Sequence, residues 1–98
     1  MTASFVTIDW QGIALSVEYE PHWMGSENLP AHLQVRVLAP EGAMVPITET
    51  GYRSQFIGRS FVEAVGGPAA FVLSWLNDAA ATAEWRRRCE AANQLSLF

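Results

Sequence analysis

Two histidines, His22 and His32, lie near Glu18, Glu20 and Glu27 in the sequence, and imidazole with carboxylate is a donor set that transition metals accept. Their spacing matches no zinc or two-histidine pattern, in which ligands recur at fixed short intervals so that one turn or one helix face presents them together. The residues read instead as a loop histidine and a solvent-facing strand histidine, and no metal or cofactor is expected. Cys89 follows Arg86, Arg87 and Arg88, a setting that favours a thiolate. It also falls near the end of a predicted helix, where the dipole opposes one, and no histidine adjoins it. Gly66-Gly67-Pro68 precedes a helix and could offer backbone amides to an anion. The remainder of a phosphate loop is missing, however, and proline removes one donor, so the triplet reads as a helix break. Trp10, Trp23, Trp75 and Trp85 are too scattered for a base-stacking platform. Trp10 and Trp75 have places in the predicted core, which leaves Trp23 and Trp85 as contact residues. Catalysis would require His22, Tyr52 and Arg53 to converge in one cleft. No spacing in the chain does that, so it is read as noncatalytic.

The segment that does read as function is the C-terminal peptide Gln94-Leu95-Ser96-Leu97-Phe98. It carries no charged side chain, and its three large apolar residues need something to bury them. At all five positions it resembles the consensus peptide with which bacterial polymerases, mismatch-repair proteins and replication regulators dock on the β sliding clamp. A chance match at a given terminus is on the order of one in a million with average residue usage. The resemblance implies that Gln94 anchors one subsite by hydrogen bonds and that Leu97 and Phe98 fill a hydrophobic cleft, with Leu95 and Ser96 holding the peptide extended between them. Spaced apolar anchors on an extended segment, with an aromatic in a desolvated pocket, are a recurrent recognition mode. Burying three such side chains contributes roughly 1.5 to 3 kcal/mol each, against about 1 to 2 kcal/mol per ordered backbone residue. One tail therefore binds no tighter than micromolar, about 8 kcal/mol, and a homodimer with two tails would gain by avidity. The terminal residues also admit the alternative of a structural or oligomerising domain whose C-terminus packs on its own or a partner subunit. A second stretch, Ile47 to Phe56, resembles small proteins carried on bacterial plasmids and integrated elements. That likeness by itself implies no activity; taken with the clamp-like peptide, it implies a mobile-element protein that acts on the host replication machinery, recruiting the clamp or competing for it.

Composition sets the frame for these elements. The chain has 98 residues, enough for one domain that buries somewhat over 60% of its unfolded surface. Half of the residues are hydrophobic and 16% are charged, which disfavours disorder along most of the length. A net charge of -4, with six arginines and no lysine, argues against a surface that neutralises phosphates, so no direct nucleic-acid partner is expected. The run Arg86 to Arg88 is what a helix dipole and solubility favour. One cysteine permits no internal disulfide. No apolar run reaches bilayer length and the N-terminus lacks a signal pattern, so the expectation is a cytoplasmic protein without membrane contact.

Alternating apolar and polar residues predict strands over Phe5 to Trp10 and Ile13 to Tyr19, joined by the two-residue loop Gln11-Gly12. Setting Trp10 against Ile13 places Ile8 on Leu15 and Val6 on Val17, so that one face is wholly apolar. A third strand is predicted over Ala31 to Leu38, with Leu33, Val35 and Val37 inward and His32, Gln34 and Arg36 outward. A short fourth is predicted over Met44 to Ile47, confined by Pro46 to an edge or an irregular position. Thr48 to Ser54 shows no periodicity and reads as a connection. Ser60 and Glu63 have capping-box spacing for a short helix over Phe61 to Val65, stopped by Gly66-Gly67. Pro68 then opens one long helix from Ala69 to about Ala92. The fold class that follows is α+β, an antiparallel three- or four-stranded sheet packed on a short helix and one long C-terminal helix. Residues 1–92 form the single domain and residues 93–98 the docking tail.

Overall fold

A computed structural model describes the backbone of residues 4–22 and 30–95, with side chains through residue 92. Its first two strands are β1 (Ser4–Trp10) and β2 (Ile13–Glu20), paired antiparallel in the expected register, Trp10 on Ile13, Ile8 on Leu15 and Val6 on Val17. Gln11 and Gly12 take φ of 52° and 83°. Positive φ at both central residues is the mirror-image turn whose twist matches that of the flanking strands. β3 (Ala31–Ala39) pairs antiparallel with β2, with a register shift at Ala14/Leu15, and leads through a cis Ala39-Pro40 peptide into the next turn.

The fourth strand is not Met44 to Ile47. That segment holds a single bridge, Val45 to Thr48, with Val45 and Ile47 turned into the core. Pro46 lacks the N–H a ladder needs, and the chain instead forms a tight loop. There the Thr48 hydroxyl donates to the Tyr52 carbonyl at 2.8 Å and accepts the Thr50 N–H at 3.1 Å. β4 is Tyr52–Ile57, which begins inside the stretch expected to be a connection and runs three residues past it, and it pairs antiparallel with β3. The sheet is thus a four-stranded meander in the order β1-β2-β3-β4.

One face carries the core. Ile8, Trp10, Leu15, Val17, Tyr19, Leu33 and Val35 meet Val62 of α1 (Arg59–Ala64) and Val72 and Leu76 of α2 (Pro68–Ala80). Fully burying one such side chain contributes roughly 1.5 to 3 kcal/mol. The indole N–H of Trp10 donates to Asn77 Oδ1 at 2.9 Å, which satisfies a buried donor at the sheet-helix junction. The capping box does not form. Gly58 is the N-cap of α1 without a side-chain cap bond, and Ser60 lies within the helix. Gly66 and Gly67, both at positive φ, end α1 as expected, and Pro68 opens α2.

The single long helix is two. α2 stops at Ala80, and α3 (Ala83–Leu95) begins after a turn at Ala81-Thr82. Thr82 causes the break. Its hydroxyl accepts the Trp85 N–H at 3.2 Å, the N-cap arrangement, while donating to the Ala79 carbonyl at 2.8 Å. Glu84 sits in the first turn, where the helix dipole favours a carboxylate. Trp85 returns to the body against Trp10, ring centroids 6.3 Å apart at 59°. Beyond it Arg86, Arg87, Glu90 and Ala91 are exposed.

Candidate functional site

Of the five residues of the clamp-like peptide, Gln94 and Leu95 belong by backbone to the last turn of α3, while Ser96, Leu97 and Phe98 lie outside the described residues. The helix therefore continues three residues past the expected domain boundary at 92. A peptide bound in extended form would need this last turn to open. Terminal turns open at small cost, because the last four carbonyls of a helix have no intrahelical partner. The helix that leads to the peptide is polar on its exposed side. Arg88 lies over the Trp85 ring at 5.1 Å, whereas Arg86 and Arg87 are exposed. Cys89 is a half-buried free thiol within α3.

The side chains that enzyme chemistry would have to gather are spread apart. His22 accepts a hydrogen bond at Nδ1 from Arg59 at 2.9 Å, at the foot of α1. Tyr52 and Arg53 are consecutive in β4 and so point to opposite faces of the sheet. The Tyr52 hydroxyl donates to Gln34 Oε1 and the Arg36 guanidinium stands 4.9 Å from its ring. Arg53 lies 5.5 Å from the ring of Trp75 on the helix side, in a shallow groove shared with Gln55, Ile57 and Phe71. Trp75, assigned to the core by sequence, is half-buried at this groove. Trp23, Met24 and Glu27 lie outside the described residues. Among the described residues no group of three or more His, Cys, Asp or Glu side chains converges.

The sheet face away from the helices carries a cross-strand network that strand periodicity did not reveal. Gln34 donates to Glu18 at 3.2 Å, linking β3 to β2, and accepts from Tyr52, linking β3 to β4. His32 was expected to be wet and is buried, 8% exposed. Its Nε2 is 2.7 Å from the Ser54 hydroxyl, and its ring lies 4.8 Å from that of Phe56. Both neighbours come from β4, so the burial of His32 depends on a strand that shows no apolar alternation. On the helix face, Tyr19 is 7% exposed and its hydroxyl has no partner among the described residues. Burial raises the pKa of this phenol, the Glu63 carboxylate raises it further, and the Arg59 guanidinium partly offsets both.

No helix among the described residues is long and apolar enough to cross a membrane. No curated protein matches the chain, and no solved structure matches it. A family model described as the KlcB third domain does match, over residues 3–85. That span takes in the four strands, α1, α2 and the first residues of α3 as far as Trp85, and leaves out the clamp-like peptide. By a match covering most of its length, this chain belongs to the KlcB third domain family.

Proposed function

We propose that the chain is a noncatalytic accessory module that docks on the bacterial β sliding clamp through Gln94, Leu95, Ser96, Leu97 and Phe98. Its folded body recruits, occludes or links a further component of replication or repair. The observation that carries the reading is the five-position match of Gln94 to Phe98 to the clamp-docking peptide. Two features support it. The peptide begins in the last turn of α3, where Arg86, Arg87, Glu90 and Ala91 of the preceding turns are exposed, and the family match ends at residue 85, so the body and the peptide are separable in sequence. The family description, a third domain, is that of one module among several in a longer protein, and a module with a short docking peptide suits that use. The net charge of -4 fits a protein held at DNA by a partner rather than by phosphate contacts.

The test is surface plasmon resonance against a purified bacterial clamp. Three proteins are compared: the intact chain, a chain ending at Asn93, and a Leu97→Ala, Phe98→Ala double variant. Micromolar binding by the intact protein and none by the two variants is the expected result. A second reading, a structural or oligomerising domain whose C-terminus packs on its own or a partner subunit, draws on the continuation of α3 through Leu95. It predicts no clamp binding, together with loss of stability or of the oligomer on truncation.

A further inference from the structure

The two edges of the sheet differ in how they are protected. β4 turns Arg53 and Gln55 toward the helix side, and an inward-pointing charge on an edge strand is a recognised guard against strand addition. β1 has no such guard. Its seven residues, Ser-Phe-Val-Thr-Ile-Asp-Trp, contain one charge, Asp9, whose Oδ1 is engaged by the Gly12 N–H at 3.2 Å. Among the described residues nothing pairs with its outer edge. Phe5 and Val6 are 69% and 38% exposed there.

The hairpin fixes which backbone groups that edge offers. The residues flanking a two-residue turn form a hydrogen-bonded pair, and such pairs alternate along the ladder. Trp10, Ile8, Val6 and Ser4 therefore direct their N–H and C=O groups to β2, while Phe5, Thr7 and Asp9 direct theirs outward. Two copies of β1 placed antiparallel about a two-fold axis at Thr7 bring Thr7 opposite Thr7, Phe5 opposite Asp9, Val6 opposite Ile8 and Ser4 opposite Trp10. Every outward N–H and C=O group of both strands then finds a partner. A shift by one residue would set outward groups against inward ones, and a shift by two would leave outward groups of each strand unpaired. The same register places the helix-side residues Val6 and Ile8 together, continuing the apolar face across the junction. It also sets the lone carboxylate against a phenylalanine rather than against its own copy.

We propose that two copies of this chain join β1 to β1 in this register, forming an isologous dimer in which the two four-stranded sheets become one. The dimer stands on β1 alone and is independent of clamp docking. Sedimentation velocity over a dilution series tests it, with wild type expected at twice the 10.8 kDa chain mass at high concentration. Thr7→Pro removes one outward N–H and is compatible with an edge strand. It is expected to sediment as a monomer with an unchanged far-ultraviolet spectrum. A wild-type monomer at every concentration, or a dimer that persists in folded Thr7→Pro, overturns the proposal. Should Thr7→Pro not fold, Thr7→Cys in a Cys89→Ser background decides. Facing residues of a hydrogen-bonded pair have Cα atoms about 5.5 Å apart, within disulfide reach. Thr7→Cys is then expected to cross-link on mild oxidation while Ser4→Cys is not, and the reverse pattern overturns the register.

Discussion

Tyr19 shows how a single hydroxyl can be read through proton linkage. Its phenol is buried on the helix face with no hydrogen-bond partner among the described residues, and burial with the nearby Glu63 carboxylate raises its pKa. A raised folded-state pKa means that the folded chain holds this proton more tightly than the unfolded chain does. The stability linked to Tyr19 is therefore complete below the unfolded tyrosine pKa, about 10, and is lost as the pH rises through the folded value. Urea unfolding of Tyr19→Phe is expected to match wild type within about 0.5 kcal/mol at pH 7, or exceed it, because an unpartnered buried hydroxyl is dispensable. Above about pH 10 the variant should lose stability less steeply. Equal slopes for the two proteins would remove Tyr19 as the linked group. At this scale the sequence was legible where residues alternate and illegible where a neighbour decides. Ile8, Leu15 and Val17 of the first hairpin were placed in the core correctly by period alone, whereas Val6, on the same face, is 38% exposed. His32 was placed on the outer face correctly and judged wet incorrectly, because Ser54 and Phe56 reach it from a strand the period does not show.

That strand, β4, was missed for a physical reason. An edge strand buries neither face fully, and Tyr52 and Phe56 remain 37% and 52% exposed, so Tyr-Arg-Ser-Gln-Phe-Ile has no apolar alternation to find. β1, also at an edge, was legible because its hairpin turn is unambiguous. The helical half shows a similar contrast. Gly66-Gly67-Pro68 marks a boundary by chemistry that cannot be otherwise satisfied, whereas Thr82 is tolerated within helices and stops this one only because its hydroxyl caps Trp85. The signal was present as Thr82 followed by Ala83-Glu84, a cap and an acidic first turn. Thr82→Ala is expected to cost about 1 kcal/mol of stability. Ser60→Ala, at the capping box that does not form, should fall within about 0.5 kcal/mol of wild type. Both are measured by urea denaturation. A larger loss at Ser60 than at Thr82 would invert the assignment of caps.

Over the whole molecule the sheet and α2 form a body into which Val72 and Leu76 are fully buried, while α3 is held mainly at its start through Trp85. Native-state amide exchange should follow that gradient. β2 and β3, paired on both sides, are expected to be the slowest to exchange, and α3 beyond Trp85 to exchange orders of magnitude faster. Uniform protection along α3 would mean that another surface covers it. The α+β fold was legible in composition and alternation, whereas the turn between α2 and α3 was not, because a single threonine caps it. The contact that anchors α3 also makes its docking observable without a label. Two indoles at 6.3 Å and 59° are close and tilted enough for their electronic transitions to couple, and such a pair yields a signed circular dichroism couplet that vanishes when the rings part. The chain thus carries an intrinsic optical gauge of whether its last helix is seated, readable while a partner is titrated in and silenced by Trp85→Phe.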